Sequence, residues 1–433
     1  MDQINGLIEG EVYFSELSMS WWKGIKVTDF IFKDSAGKAL VEAEQISTKP
    51  HYGSILMGSL SFGETIIDEP RVEINFEGRQ PKGAGGVRGE VQKSNERGSI
   101  VIPIEEIELV VKGGSLKVTG EPAVTFEAAG INSRLAVSFS GEYPAGGREE
   151  LLANLEVWAE FGFERAQYMG LNFGSTTGKI QMQDSLLQIG SFSSIVNNGR
   201  FNFGGEADFR EEPTLFRETG PMQIAKGIQI TDEVTRSFLS YLNPIFANVV
   251  TISGEIDFSC ERLAIPLVGG SRNDAEVIGT VTIRQLRLEA SDLLGEILSF
   301  VGVAQRGQDI VIEPTRFFLQ DGFLRYDDMR MVLGNNPINF RGTIGLDRSL
   351  DMAVILPYTT RGETVRIGEE IEGVRISLPL KGTIDNPELD TGKLLEEQLK
   401  EELKGRLGEE LKERLEDELM EKLLEEFDEL LKP

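Results

Sequence analysis

One cysteine and one histidine occur among 433 residues, and that scarcity closes several chemistries at once. A lone Cys260 permits neither an intrachain disulfide nor a cysteine-rich zinc site. It falls in the alternating stretch 256–262, where a small apolar core residue is expected rather than a nucleophile. His51 follows Pro50 in a turn-like stretch, so a multi-histidine metal site is excluded and a surface imidazole is expected. A Ser-His-Asp arrangement would have to use this same residue, and no G-x-S-x-G element accompanies it. Walker-type loops, a G-x-G-x-x-G turn after a strand and H-E-x-x-H are missing as well. These absences call for no metal and no cofactor.

Basic side chains are also in short supply. The 44 Lys and Arg stand against 71 Asp and Glu, a formal charge of -27. That balance opposes phosphate neutralisation, so nucleic acid is not expected as a partner. It opposes docking on anionic headgroups too, and favours solubility. No run of about eighteen apolar residues exists to span a membrane as a helix. The opening Met1-Asp-Gln-Ile-Asn-Gly6 lacks a basic-then-apolar signal pattern. Two expectations remain: a cytosolic protein, or a chain that begins after a removed signal or anchor.

What the chain does contain is a recurring phrase, a glycine followed by alternating polar and apolar residues. It appears as Gly10-Glu-Val-Tyr-Phe14, Gly178-Lys-Ile-Gln-Met182, Gly199-Arg-Phe-Asn-Phe203 and Gly254-Glu-Ile-Asp-Phe258. It recurs at Gly279-Thr-Val-Thr-Ile283, Gly342-Thr-Ile-Gly-Leu346 and Gly382-Thr-Ile-Asp-Asn386. Period-two alternation puts one face of a strand in oil and the other in water, and glycine suits the tight turn expected before each strand. The cleanest apolar positions are Val12 and Phe14, Val72, Ile74 and Phe76, then Ile107, Leu109 and Val111. Leu155, Val157 and Phe161 follow the same rule.

The organisation expected is strands over 1–77, a glycine-rich basic loop at 78–98, and strands again over 99–390. A short helical crossover is expected near 52–60, and covering helices near 231–249 and 291–301. Thr231 can cap the first of these and Pro244 is expected to kink it. In the later strands the pattern selects Ile256 and Phe258, Val281 and Ile283, then Ile338, Phe340 and Ile344. Val354, Ile376 and Leu378 complete the set. Residues 391–433 carry leucine at nearly every fourth position among Glu, Lys and Arg, and read as a pair of charged amphipathic helices.

Strands of about five residues would place roughly twenty to twenty-five of them in this chain. At about 4.8 Å each, one ladder would run for roughly 100 Å, far beyond the size at which open twisted sheets stay flat. The fold class expected is therefore mainly β: an elongated, curled antiparallel sheet forming a hydrophobic groove, with few covering helices. Either sheet packs on sheet, or the leftover apolar wall takes a greasy ligand.

Two regions carry a family likeness. Ile4-Asn-Gly-Leu-Ile-Glu-Gly-Glu-Val-Tyr13, Trp21-Trp-Lys-Gly-Ile-Lys-Val27, Phe32-Lys-Asp-Ser-Ala-Gly37 and Ile66-Ile-Asp-Glu-Pro-Arg-Val-Glu-Ile74 resemble the start of AsmA-like proteins. Asp321-Gly-Phe-Leu-Arg-Tyr-Asp-Asp328, the run Phe340 to Asp351, and Ile376-Ser-Leu-Pro-Leu-Lys-Gly-Thr-Ile-Asp-Asn-Pro387 resemble their C-terminal region. Between about 100 and 310 only the strand pattern is shared. The family includes TamB and YhdP and is related to chorein-type bridge proteins. The resemblance implies a β-groove carrying phospholipid acyl chains between envelope membranes, with no catalytic residues and no cofactor. It implies a periplasmic location, membrane or envelope proteins at the groove ends, and an anchor that this chain does not show. Two other readings stay open: a glycan-active or glycan-binding β-solenoid using Asp327 and Asp328 with Asp321, and a structural scaffold with a filled core.

Overall fold

The computed structural model describes residues 10–20, 22–51, 62–76, 106–120, 124–139, 148–247, 249, 252–288, 292–300, 310–333, 336–357, 359–360, 363–364 and 375–390. The crossover at 52–60, the loop at 78–98 and the helices in 391–433 lie outside the described residues. The protein is mainly β, with antiparallel pairing dominant and few helices. It divides into two compact units, Met1–Val196 with Asn202–Thr214, and Asn197–Phe201 with Leu215–Pro433.

The first unit contains β1 (Gly10–Tyr13), β2 (Glu16–Ser20), β3 (Gly24–Asp34), β4 (Ala39–Pro50), β5 (Phe62–Asp68) and β6 (Arg71–Phe76). Then come β7 (Glu106–Gly120), β8 (Val124–Phe139), α1 (Arg148–Asn154), β9 (Leu155–Phe163), β10 (Arg165–Tyr168), β11 (Leu171–Phe173), β12 (Thr176–Gln183) and β13 (Leu186–Val196). Long strands alternate with broken ones: β1 and β2 both pair with β3, β5 and β6 with β4, and β9 and β10 with β8. β11 and β12 both pair with β13. The all-antiparallel expectation fails at one place, because β7 runs parallel to β5 and β6. A hairpin turn cannot join parallel neighbours, and the 29 residues between Phe76 and Glu106 supply the longer connection.

β14 (Gly199–Asp208) is shared between the units. The second contains β15 (Thr214–Arg217), β16 (Met222–Gln229), a helix α2 over 232–242, β17 (Ile252–Val268), β18 (Glu276–Leu288) and α3 (Asp292–Phe300). It continues with β19 (Ile310–Gln320), β20 (Phe323–Leu333), β21 (Asn336–Gly345), β22 (Ser349–Pro357), the two-residue pair β23 (Thr359–Thr360) and β24 (Glu363–Thr364), β25 (Arg375–Thr383) and β26 (Asn386–Leu389). From β16 to β22 and on through β25 to β26, each strand pairs antiparallel with the next.

The described core sits in this second unit. Leu239 on α2, Ile245 and Phe246 in the turn just after it, and Leu294 and Ile297 on α3 are at most 1% exposed. They pack with the apolar side chains of β18 to β22 and β25 in one cluster. Thr231 caps α2 by accepting a 3.2 Å hydrogen bond from the Val234 amide. Pro244 does not kink the helix: α2 ends at Leu242, Asn243 is extended, and Pro244 opens a separate 3-10 turn. Asn243 Oδ1 accepts from the Ile245 amide at 3.0 Å and so caps the start of that 3-10 turn.

Candidate functional site

Cross-strand register shows where the apolar side chains of the first unit gather. Directly paired residues share a face of a sheet. One continuous row runs Val12, Phe32, Val41, Val72, Leu116, Ala128, Ala166, Phe173 and Val196, crossing nine strands without a polar residue. A second runs Leu17, Val27, Ile46, Ile67 and Val111, and beside it Leu109, Leu135, Ala159, Ile180 and Ile189 align.

The two sets occupy odd positions in one half of a strand and even positions in the other. Irregularities in the strands reconcile them. β7 carries Val111 and Leu116 on either side of a bulge, with Gly113 at φ +67°. A Cβ on Gly114 would sit 3.0 Å from Val111 and 3.1 Å from Pro70, so both halves present the same face. Asp29 in β3, Glu69 between β5 and β6, and Gly130 in β8 also take positive φ. The bulges keep the oily positions together although the sequence phase slips by one.

The opposite face is polar and laced with ion pairs. Arg134 meets Glu64 at 3.3 Å and Glu108 at 3.5 Å, Lys179 meets Glu160 at 2.9 Å, and Lys117 meets Glu127 at 2.9 Å. An open depression of about 830 Å³ is bordered by Lys112, Arg134, Glu160 and Lys179 with Gly162 and Gly190. Among the described residues no group of three His, Cys, Asp or Glu could hold a metal ion.

The units differ in what covers their apolar rows. In the second, Ile228, Ile256, Ile283, Ile312, Met331 and Ile338 form a comparable row. Of the expected lining residues there, Val281, Ile283, Ile338, Phe340, Ile344, Val354 and Leu378 are at most 3% exposed and lie inside the protein's own core. Ile256 and Phe258 are half-buried against it, and Ile376 belongs to β25, its side chain outside the described residues.

In the first unit the expected residues Val12, Phe14, Val72, Ile74, Ile107, Leu109, Val111, Leu155, Val157 and Phe161 are only half-buried, and Phe76 is 61% exposed. The one helix described there, α1, is seven residues long. Its length is about 10 Å, against roughly 43 Å for the width of nine strands. Phe32, Val41, Leu116, Ala128, Ala166 and Phe173 belong to the same face and were not selected by strict alternation. The signal that finds them is the phase slip within each long strand.

The candidate acids behave differently from the alternation rule. Tyr326 and Met329 are both buried, and the two aspartates between them bulge outward together rather than to opposite faces. Asp328 accepts a 2.7 Å hydrogen bond from Asn339, Asp327 lies 3.9 Å from Arg325, and Asp321 sits at φ +52° in a turn. Among the described residues no helix is long and apolar enough to cross a membrane. No family model matches this chain, and no curated protein matches it either.

Proposed function

We propose that the protein is a non-enzymatic lipid-binding protein that holds acyl chains on the apolar face of its first unit and serves lipid transfer in a cell envelope. The observation that carries this reading is the contrast between the units. Both build apolar rows across many strands, yet among the described residues only the second fills its face with its own helices. Among the described residues the row across nine strands is half-buried, except at Ala128, Ala166 and Val196, which are buried, and apolar surface left partly open to water in this way commonly marks a binding site.

Acyl chains fit that need. Each buried methylene contributes about 0.8 kcal/mol, so two long chains bring more than about 20 kcal/mol against free passage through water. The headgroup needs no dedicated pocket if it stays wet at the edge of the face. The resemblance to AsmA-like proteins at both ends of the sequence supports the same reading and the periplasmic setting.

The test is native mass spectrometry of the gently purified chain. The expected result is bound phospholipid, reduced at least tenfold in a Val72→Glu, Leu116→Glu double variant and unchanged in Gln181→Glu on the polar face. A lipid-free wild type, or retention indifferent to the double variant, would overturn the proposal.

A further inference from the structure

We propose that the hairpin of β2 and β3 docks the protein on an anionic phospholipid bilayer, with Met19 and Trp22 seated at the bilayer interface and Lys23, Lys26 and Lys49 facing the phosphates. This stands on the hairpin and not on the acyl-chain reading. Met19 is 74% exposed and Trp22 88%, the two barest large apolar side chains among the described residues, and Leu17 beside them is 56% exposed. Single exposed apolar residues are ordinary on a protein surface, but three within six positions of one hairpin form a patch.

The hairpin is built to present them. Leu17 and Met19 lie opposite Val27 and Ile25, so both belong to the apolar face and carry it towards the tip. Trp22 stands in the turn itself, between Ser20 and Gly24, the last pair of the ladder. The Ser20 hydroxyl accepts from the Lys23 amide at 3.4 Å, and Gly24 takes φ +82° with no room for a side chain against the Thr48 carbonyl. Local contacts thus fix the turn while the indole stays in water. Tryptophan suits a bilayer surface because its ring is apolar and its N–H needs a wet partner. Methionine, unbranched and flexible, adapts to an irregular surface.

Charge selects the occupant. About one residue in six of this chain is acidic, yet residues 17–28 and 45–63 contain no Asp or Glu. The described parts of these stretches adjoin, since Ile25 pairs with Thr48 and Lys26 with Ser47. They carry Lys23, Lys26 and Lys49, all exposed. Glu64, just past the second stretch, is engaged by Arg134 at 3.3 Å. The net charge of -27 opposes an anionic surface, but at physiological salt a charge acts over only about 8 Å. Distant acids are screened, and headgroups that approach the tip meet its lysines. A second copy of the chain would set those lysines against their own kind.

Co-flotation of the full chain with vesicles tests this. The expected result is flotation with equal parts phosphatidylcholine and phosphatidylglycerol, little with phosphatidylcholine alone, and release as salt rises. Flotation should fall about tenfold in a Met19→Ser, Trp22→Ser double variant. It should fall about twentyfold in Lys23→Gln, Lys26→Gln, since each lysine near an anionic surface strengthens adsorption roughly fivefold. Wild-type tryptophan emission should be quenched by brominated acyl chains in the anionic vesicles, a reading that needs no variant to fold. The serine variant should still carry phospholipid in native mass spectrometry, and Val72→Glu, Leu116→Glu should still float, so docking and acyl-chain binding fail separately. A wild type that ignores anionic vesicles, or floats no better than the serine variant, overturns the proposal. So does sedimentation showing that the patch joins two copies of the chain instead.

Discussion

Phe161 lies across Gly178, its partner on the next strand, and a Cβ added to the glycine would come within 2.5 Å of the ring. The glycine thus serves a close approach inside β12 rather than the tight turn that its place in the repeated phrase led one to expect. Gly178→Val should cost roughly 1–3 kcal/mol and lower the melting temperature, and Phe161→Ala in the same chain should abolish part of that penalty. Cys260 shows a second effect of burial at single-residue scale. Desolvation first, and Glu218 next, push its thiol up from 9.0 to about 11. Below pH 9 both folded and unfolded chains hold the proton; as pH rises towards 11 the unfolded chain releases it first, so stability falls in that window. Denaturant midpoints measured below pH 9 and near pH 11 should drop more for wild type than for Cys260→Ala.

At the level of elements, α2 and α3, described in the second unit, are held by the sheet that they cover. Ile297, fully buried on α3, packs into the shared core, so Ile297→Ala should cost about 2–5 kcal/mol by leaving a cavity, read as a fall in the denaturant midpoint. Thr231→Ala removes only a helix cap and should cost nearer 1 kcal/mol. The strands add a second lesson. In β17 to β20 the same local pattern returns, two buried residues enclosing two exposed ones, at Cys260 and Leu263, Ile283 and Leu286, Ile312 and Thr315, Tyr326 and Met329. A strict two-residue period cannot place both ends of such a tetrad on one face. A bulge can, and the register shifts within β17, β18 and β20 are of that kind.

Across the whole molecule, burial is unevenly shared. The largest fully buried side chains, among them Tyr326, Phe246 and Phe340, all belong to the second unit. Regions with few buried apolar contacts open at lower free energy than regions with many. Hydrogen exchange in rising denaturant should therefore show strands β3 to β9 losing protection before β18 to β22. A ligand that binds only the folded first unit stabilises it by mass action. Added phospholipid should then raise the earlier transition and leave the later one in place, whereas a uniform shift would count against lipid seated on the first unit.

Alternation and turn residues, which are local properties, were enough to read the β class, the helices near 231–249 and 291–301 and the cap at Thr231. Most apolar positions along each strand could be read the same way, since side-chain direction in a regular strand depends only on the count of residues. α2 ends before Pro244 for a local reason too, since a proline pushes the residue before it out of the helical region. The parallel placing of β7 and the bulges that bring Val111 and Leu116 onto one face depended instead on neighbours distant in sequence. So did the decisive difference for function. Val72 and Ile338 look alike in their strands, yet one is half-exposed and the other buried, because only the fold determines which apolar row a helix comes to cover.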